Sequence, residues 1–192
     1  MPDLATLEVR PLTPARLDDY LTFFDAKAFP DNPRWAFCYC YFPYHDPEKI
    51  EWQKRTGPEN RAAITHCVHA GTAQGYLAYQ GDEVVGWCNA APRPLYPMLD
   101  DSPEPNPETI GSIFCFIVAP THRGQGIAKA LLSAACEGLR AQGMRIAEAK
   151  PVKDAKSAAA NHFGPLSMYL AAGFAVVRED DEGNVFVQKA LA

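Results

Sequence analysis

The chain has 192 residues, 47% of them hydrophobic and 21% charged, ordinary proportions for one globular domain with a sizeable core. A formal net charge of -5 argues against nucleic acid or an anionic membrane as partner. The opening MPDLATLEVRPLTP lacks the basic-then-apolar layout of a secretory signal, and no run reaches the roughly 18 apolar residues of a membrane span. A cytoplasmic protein with six reduced cysteines is the expectation.

In chain order, TLEVRPL predicts a strand. Thr13 and Pro14 then read as the start of a helix with Leu17, Tyr20, Leu21 and Phe24 on its apolar face. The aromatic, proline-punctuated stretch from Phe29 to Arg55 reads as irregular. A second helix is expected over PENRAAITHCVHAG, ending near Gly71. GYLAYQGDEVVGWCNAA reads as two strands joined at Gly81-Asp82. Six prolines between Pro92 and Pro107 predict a long surface loop without regular structure. SIFCFIVAP, apolar on both faces, predicts the central strand.

A helix follows, with Ile127, Ala130, Leu131, Ala134, Gly138 and Leu139 on its inward side and Gly143 as its stop. MRIAEAKPV then predicts a strand parallel to the central one, by the right-handed crossover. The remainder reads as a helix over GPLSMYLAAG and a closing hairpin, FAVVRE turning at DDEGN into VFVQKAL.

Between the central strand and the third helix stands IVAPTHRGQGIA, residues 117 to 128. A helix N-terminus offers unpaired N–H groups and partial positive charge, so a glycine-lined entry suits phosphate. The stretch lacks the Gly-Lys-Ser/Thr of a P-loop and the third glycine of a dinucleotide fingerprint, so neither nucleotide hydrolysis nor dinucleotide binding is expected. Arg123-x-x-Gly126-x-Ala128 in this setting resembles the GNAT superfamily of N-acetyltransferases, whose signature is Gln/Arg-x-x-Gly-x-Gly/Ala. A second likeness is Tyr169-x-x-x-Gly173-Phe174, which resembles that family's element at the end of its last helix. His162 and Pro165 stand where relatives usually carry Asn and Ala.

The resemblance covers roughly residues 70 to 192 and implies a mixed, mostly antiparallel sheet flanked by helices and splayed at a bulged central strand. It implies acetyl-CoA as co-substrate and no metal. The pyrophosphate would rest on the backbone of Gly124, Gln125, Gly126, Ile127, Ala128 and Lys129 beside Arg123, and Phe116, Ile117 and Val118 would pair with the pantetheine amides. Tyr169 would protonate the departing thiolate, and Glu148, on the strand bordering the splay, is the best-placed candidate base; it reads equally as a solvated or salt-bridged strand residue, with water or a group from the middle segment as base. The acceptor would be a small-molecule or peptide amine, and a homodimer is common among relatives.

Other readings stay open. Gly124 and Gly126 serve equally as turn residues, and Tyr169 as a core aromatic. Cys38, Cys40, His45, His66, Cys67, His69 and Cys88 invite a zinc site, but their spacing lacks the usual knuckles. Trp35, Phe37, Tyr39, Tyr41, Phe42 and Tyr44 are either core or the wall of an acceptor pocket. Asp100, Asp101 and Glu104 in the proline-rich loop would favour a cationic amine. The expectation is one domain over residues 1–192 acting as an N-acetyltransferase; the alternative is an acyl-CoA-binding sensor without turnover.

Overall fold

The computed structural model describes residues 7–99, 105–153, 157, 161–181 and 183–192. Seven strands form one sheet: β1 (Leu7–Pro11), β2 (Gly75–Gln80), β3 (Glu83–Pro92), β4 (Ile110–Val118), β5 (Ile146–Ala149), β6 (Ala175–Glu179) and β7 (Val185–Ala190). Their order is β1-β2-β3-β4-β5-β7-β6, and every neighbouring pair is antiparallel except β4–β5. That parallel pair requires a crossover, supplied by helix α3 (Ile127–Ala141). The sheet is mixed and open, flanked by helices on both faces, as expected.

Each face carries its own apolar cluster. On one lie α1 (Leu17–Ala26), α2 (Gly57–His69) and the segment between them, with Tyr20, Phe23, Ile64 and Trp87 buried. On the other lie α3 and the short α4 (Leu166–Ala171), with Leu131, Leu139, Phe116 and Tyr169 buried. The inward stripe of α3 is Ile127, Leu131, Leu132, Ala135, Cys136 and Leu139. It sits slightly round from the expected one: Ala130, Ala134 and Gly138 are half-buried at its edge. Gly138 still matters, because a Cβ there would stand 1.5 Å from the Tyr76 hydroxyl.

Local chemistry explains several boundaries. Thr56 and Glu59 form a capping box, so α2 begins at Gly57; such a cap is worth about 1 kcal/mol. Thr13 makes no side-chain cap; a 3-10 turn over Pro14–Arg16 leads into α1 instead. The proline-rich stretch is not free of structure: Arg93–Leu95, Pro97–Leu99 and Pro107–Thr109 are 3-10 turns, each with a proline at its start.

The segment between α1 and α2 is held by two clamps. Tyr39 and Cys40 are both left-handed, φ 46° and 47°, which costs roughly 1–2 kcal/mol per non-glycine residue. The Tyr20 hydroxyl donates to the Tyr39 carbonyl at 2.6 Å, and the Asn89 amide to the Cys40 carbonyl at 3.3 Å. Asn89 Oδ1 also accepts from Tyr44 and Tyr96, each at 2.7 Å, so this buried amide ties β3 to two loops.

That amide sits at the irregular point of the sheet. Asn89 faces Cys115 while Ala90 faces Ile113, so Phe114 is an extra residue in β4. Ile113 and Phe116 therefore pack on the same face although they are three apart. No helix among the described residues is long and apolar enough to cross a membrane.

Candidate active site

The pairing of β4 with β5 runs from Ile110–Ile146 to Ile113–Ala149 and stops at the bulge. Past that point the two strands diverge into a fork. The chain itself enters the gap: the Phe116 N–H donates to the His162 carbonyl at 2.6 Å, and the Phe163 ring meets Phe114 edge-on at 5.3 Å. Strand alternation fixes the other amides. The Ala119 N–H turns to Val85 on β3, so the Val118 N–H points to the same side as that of Phe116, into the fork.

A first cleft of about 600 Å³ opens along this edge. Its walls include every expected cofactor residue except Gln125: Phe116, Ile117 and Val118 from β4, and Arg123, Gly124, Gly126, Ile127, Ala128 and Lys129 from the loop and the first turn of α3. Gln125 turns aside and donates to the Thr121 carbonyl at 3.3 Å. Gly124 and Gly126 have φ 75° and 84°, and a Cβ on either would meet nothing within 4 Å. Conformation rather than crowding requires glycine here, and the bare backbone faces open cleft. Gly126 caps α3, leaving first-turn N–H groups such as those of Ile127 and Ala128 without intrahelical acceptors.

Other residues complete this cleft, Asp31 and Asn161 among them without having been singled out in the sequence. Asp31 accepts from Arg123 at 2.5 and 3.3 Å, and Arg123 also donates to the Val118 carbonyl at 3.2 Å. The guanidinium holds the Asp31 carboxyl below the usual carboxylate range. Trp35 stands edge-on to His162 at 4.8 Å, closing the far wall. Asn161 Oδ1, also on the cleft, is buried with no hydrogen-bond partner among the described residues.

Tyr169 does not line the cleft. It is fully buried beside Phe116 and Phe174, and its hydroxyl donates to the Phe163 carbonyl at 2.9 Å. Burial pushes that hydroxyl well above its usual 10. Met168, its neighbour in α4, faces the cleft instead.

Glu148 lies elsewhere, in a second cleft of about 270 Å³ on the far side of the fork. Ser112, Glu148 and Gln188 are neighbours in register across β4, β5 and β7 and all line it. Glu148 accepts from Ser112 at 2.5 Å and is paired with Arg93, which also donates to the Leu99 carbonyl at 3.1 Å. Arg93 is 5% exposed, a buried guanidinium matched by a nearly buried carboxylate. Phe42, Phe114, Phe163 and Phe186 form the apolar walls. Segment 161–164 borders both clefts: Asn161, His162 and Gly164 line the first and Phe163 the second.

The aromatic segment thus divides. Tyr41 and Tyr44 are core, whereas Trp35 lines the first cleft and Phe42 the second. Of the residues considered for zinc, Cys40 and Cys88 are buried, and His66 and His69 are exposed on α2. Among the described residues no three His, Cys, Asp or Glu side chains are grouped to hold a metal. Asp100, Asp101 and Glu104 lie outside the described residues.

Comparisons with known proteins agree with this geometry. No curated protein matches the sequence. Among solved structures, an N-acetyltransferase from Staphylococcus aureus Mu50 is 15% identical, with 97% of this chain and 99% of that one covered at a TM-score of 0.60. The GNAT domain of S. lividans PAT is 19% identical, over 96% and 90%, at 0.59. Salmonella typhimurium yncA, solved with its cofactor acetyl-CoA, is 15% identical, over 97% and 95%, at 0.54. Identities this low establish the fold alone. The family model of the GNAT acetyltransferases matches residues 29–164, well over half the chain and most of the lining of both clefts, so the chain belongs to the GNAT acetyltransferase family.

Proposed function

We propose that the protein transfers an acetyl group from acetyl-CoA to a primary amine by direct attack. The observation that carries this reading is the fork: a bulge opens β4 from β5 where a glycine-lined helix start and a carboxylate-bearing cleft converge. The first cleft fits the co-substrate. Open backbone at Gly124 and Gly126 suits a pyrophosphate, and the orphaned Asn161 Oδ1 suits an amide N–H of a pantetheine arm. Bound there, acetyl-CoA supplies the activated acyl group.

The chain's own groups would do the rest. The Val118 N–H, aimed into the fork, donates to developing negative charge on the carbonyl oxygen. Glu148, placed by Ser112 and Arg93, takes the amine proton. Tyr169 keeps its proton across the neutral range and gives it to the thiolate. To reach that thiolate its hydroxyl must leave the Phe163 carbonyl, so segment 161–164 shifts during the cycle.

The sealed position of Tyr169 is the one observation that favours a sensor without turnover. Thiol release from acetyl-CoA over an amine panel separates the two. The transferase reading expects amine-dependent release, reduced at least about 100-fold in Tyr169→Phe with acetyl-CoA affinity kept. No amine-dependent release by folded protein that binds acetyl-CoA would favour the sensor.

A further inference from the structure

The second cleft has a chemistry of its own. Four phenylalanine rings come from four separate parts of the chain: Phe42 before α2, Phe114 at the bulge, Phe163 in the fork and Phe186 on β7. Phe42 and Phe114 lie 6.4 Å apart, and Phe114 and Phe163 5.3 Å, so these three rings make one continuous wall, and Phe186 lines the same cleft from β7. Offset and edge contacts at these spacings are what an inserted aromatic ring also prefers.

Charged groups border this wall. On the floor the Arg93 charge is cancelled by Glu148. At the rim Lys150 lines the cleft, exposed, with its ammonium 5.4 Å from the Phe186 ring and no carboxylate partner among the described residues. Arg178 stacks on the same ring at 3.5 Å, adding positive charge there. Glu148 and, two residues on, Lys150 thus stand side by side next to the rings, an arrangement that suits a ligand with an amino group and a carboxylate close together at one end and an aromatic ring at the other.

We propose that the acceptor is an aromatic α-amino acid, its ring among the phenylalanines, its amino group toward Glu148 and its carboxylate toward Lys150. This rests on the acetyltransferase reading. Once its ammonium proton has passed to solvent, the amine nitrogen forms a bond to the thioester carbonyl carbon as the carbon–sulfur bond breaks. Glu148 gains the proton the amine loses, and the thiolate gains one from Tyr169. The products are an N-acetyl amino acid and coenzyme A.

Calorimetric titrations with L-phenylalanine, phenethylamine and spermidine, with and without saturating coenzyme A, test the proposal; acetyl-CoA is titrated in parallel. L-phenylalanine should bind at least about tenfold tighter than either amine. Lys150→Glu should erase its advantage over phenethylamine, while Phe186→Ala should weaken both aromatic ligands about tenfold and leave spermidine unchanged. The proposal is overturned if spermidine equals or exceeds L-phenylalanine, if Lys150→Glu leaves the order intact, or if no aromatic ligand binds folded protein. Acetyl-CoA binding together with any of those results would leave the acetyltransferase reading standing; failure of acetyl-CoA to bind would remove that reading by itself.

Discussion

The Phe116 amide donates to the His162 carbonyl at 2.6 Å, so the strand edge exposed by the fork is capped by the chain itself. A pantetheine arm seeking the same amide must displace that carbonyl, and His162 carries Trp35 against its ring. Acetyl-CoA should therefore change tryptophan fluorescence through Trp35, and Trp35→Phe should remove most of the change. A full change surviving in that variant would place the movement elsewhere.

The Arg123–Asp31 pair sets a carboxylate beside the proposed phosphate cradle. Both side chains are substantially exposed, so the pair contributes little to stability. Its larger effect would be on ligand charge. Asp31→Asn should leave the melting temperature within a degree or two and tighten acetyl-CoA binding about two- to fivefold at low salt, with the gain fading as salt rises. Weaker binding in titrations of this variant would show that Asp31 positions Arg123 rather than competing for it.

Asn89 joins β3 to Tyr44, Tyr96 and Cys40 beside the bulge. Replacing it with leucine would take the acceptor from the buried Tyr96 hydroxyl and the donor from the Cys40 carbonyl, while Tyr44 keeps its bonds to Gln74, at a cost of about 2 kcal/mol or more. Urea unfolding of Asn89→Leu should show that loss. The distorted bulge should also lower turnover beyond what the unfolded fraction explains. A variant as stable as the parent would mean the network is replaceable.

Alkaline pH should unfold the protein through its thiols before its tyrosines. Burial holds the Cys40 and Cys88 thiols well above 9 and pushes Cys38 up to about 12. In the unfolded chain cysteine ionises near ~8.5. A raised native value means the stabilisation is complete below that unfolded value and is lost as pH climbs past it. Each such thiol costs about 1.4 kcal/mol per pH unit there. The urea midpoint should fall steeply from about pH 9, and Cys88→Ala should flatten the slope. Tyr20, Tyr96 and Tyr169, held well above 10 by burial, extend the fall beyond pH 10. A flat profile to pH 10 would contradict this.

Element order was legible in the sequence because period and punctuation are local: the Gly81-Asp82 turn, the Gly143 stop and the crossover helix each follow from neighbouring residues. Arg123, Gly124 and Gly126 were legible too, since a helix start and positive φ are local properties. What escaped depends on register and long-range closure. Ser112 meets Glu148 only because β4 and β5 pair in that register, and Arg93 joins them from a 3-10 turn after β3. A lone arginine between two prolines, directly after a run of buried strand residues, was the available clue to a buried charge. Asp31 and Asn161 had no such signal: they reach the first cleft through loops whose paths the tertiary fold decides. Tyr169 was found by motif, but its burial behind Phe163 follows from the packing of segment 161–164.

Every step proposed above requires acetyl-CoA to bind in the first cleft on the Gly124–Gly126 backbone. Its most direct test is calorimetric titration of wild type, Arg123→Glu and Gly126→Glu with acetyl-CoA, with circular dichroism to confirm that all three are folded. The account predicts one-to-one binding to wild type, weakened at least about 100-fold by a carboxylate at Gly126, which is both strained at φ 84° and set against the phosphates. Equal binding to wild type and the Gly126→Glu protein, or none to wild type, would contradict it.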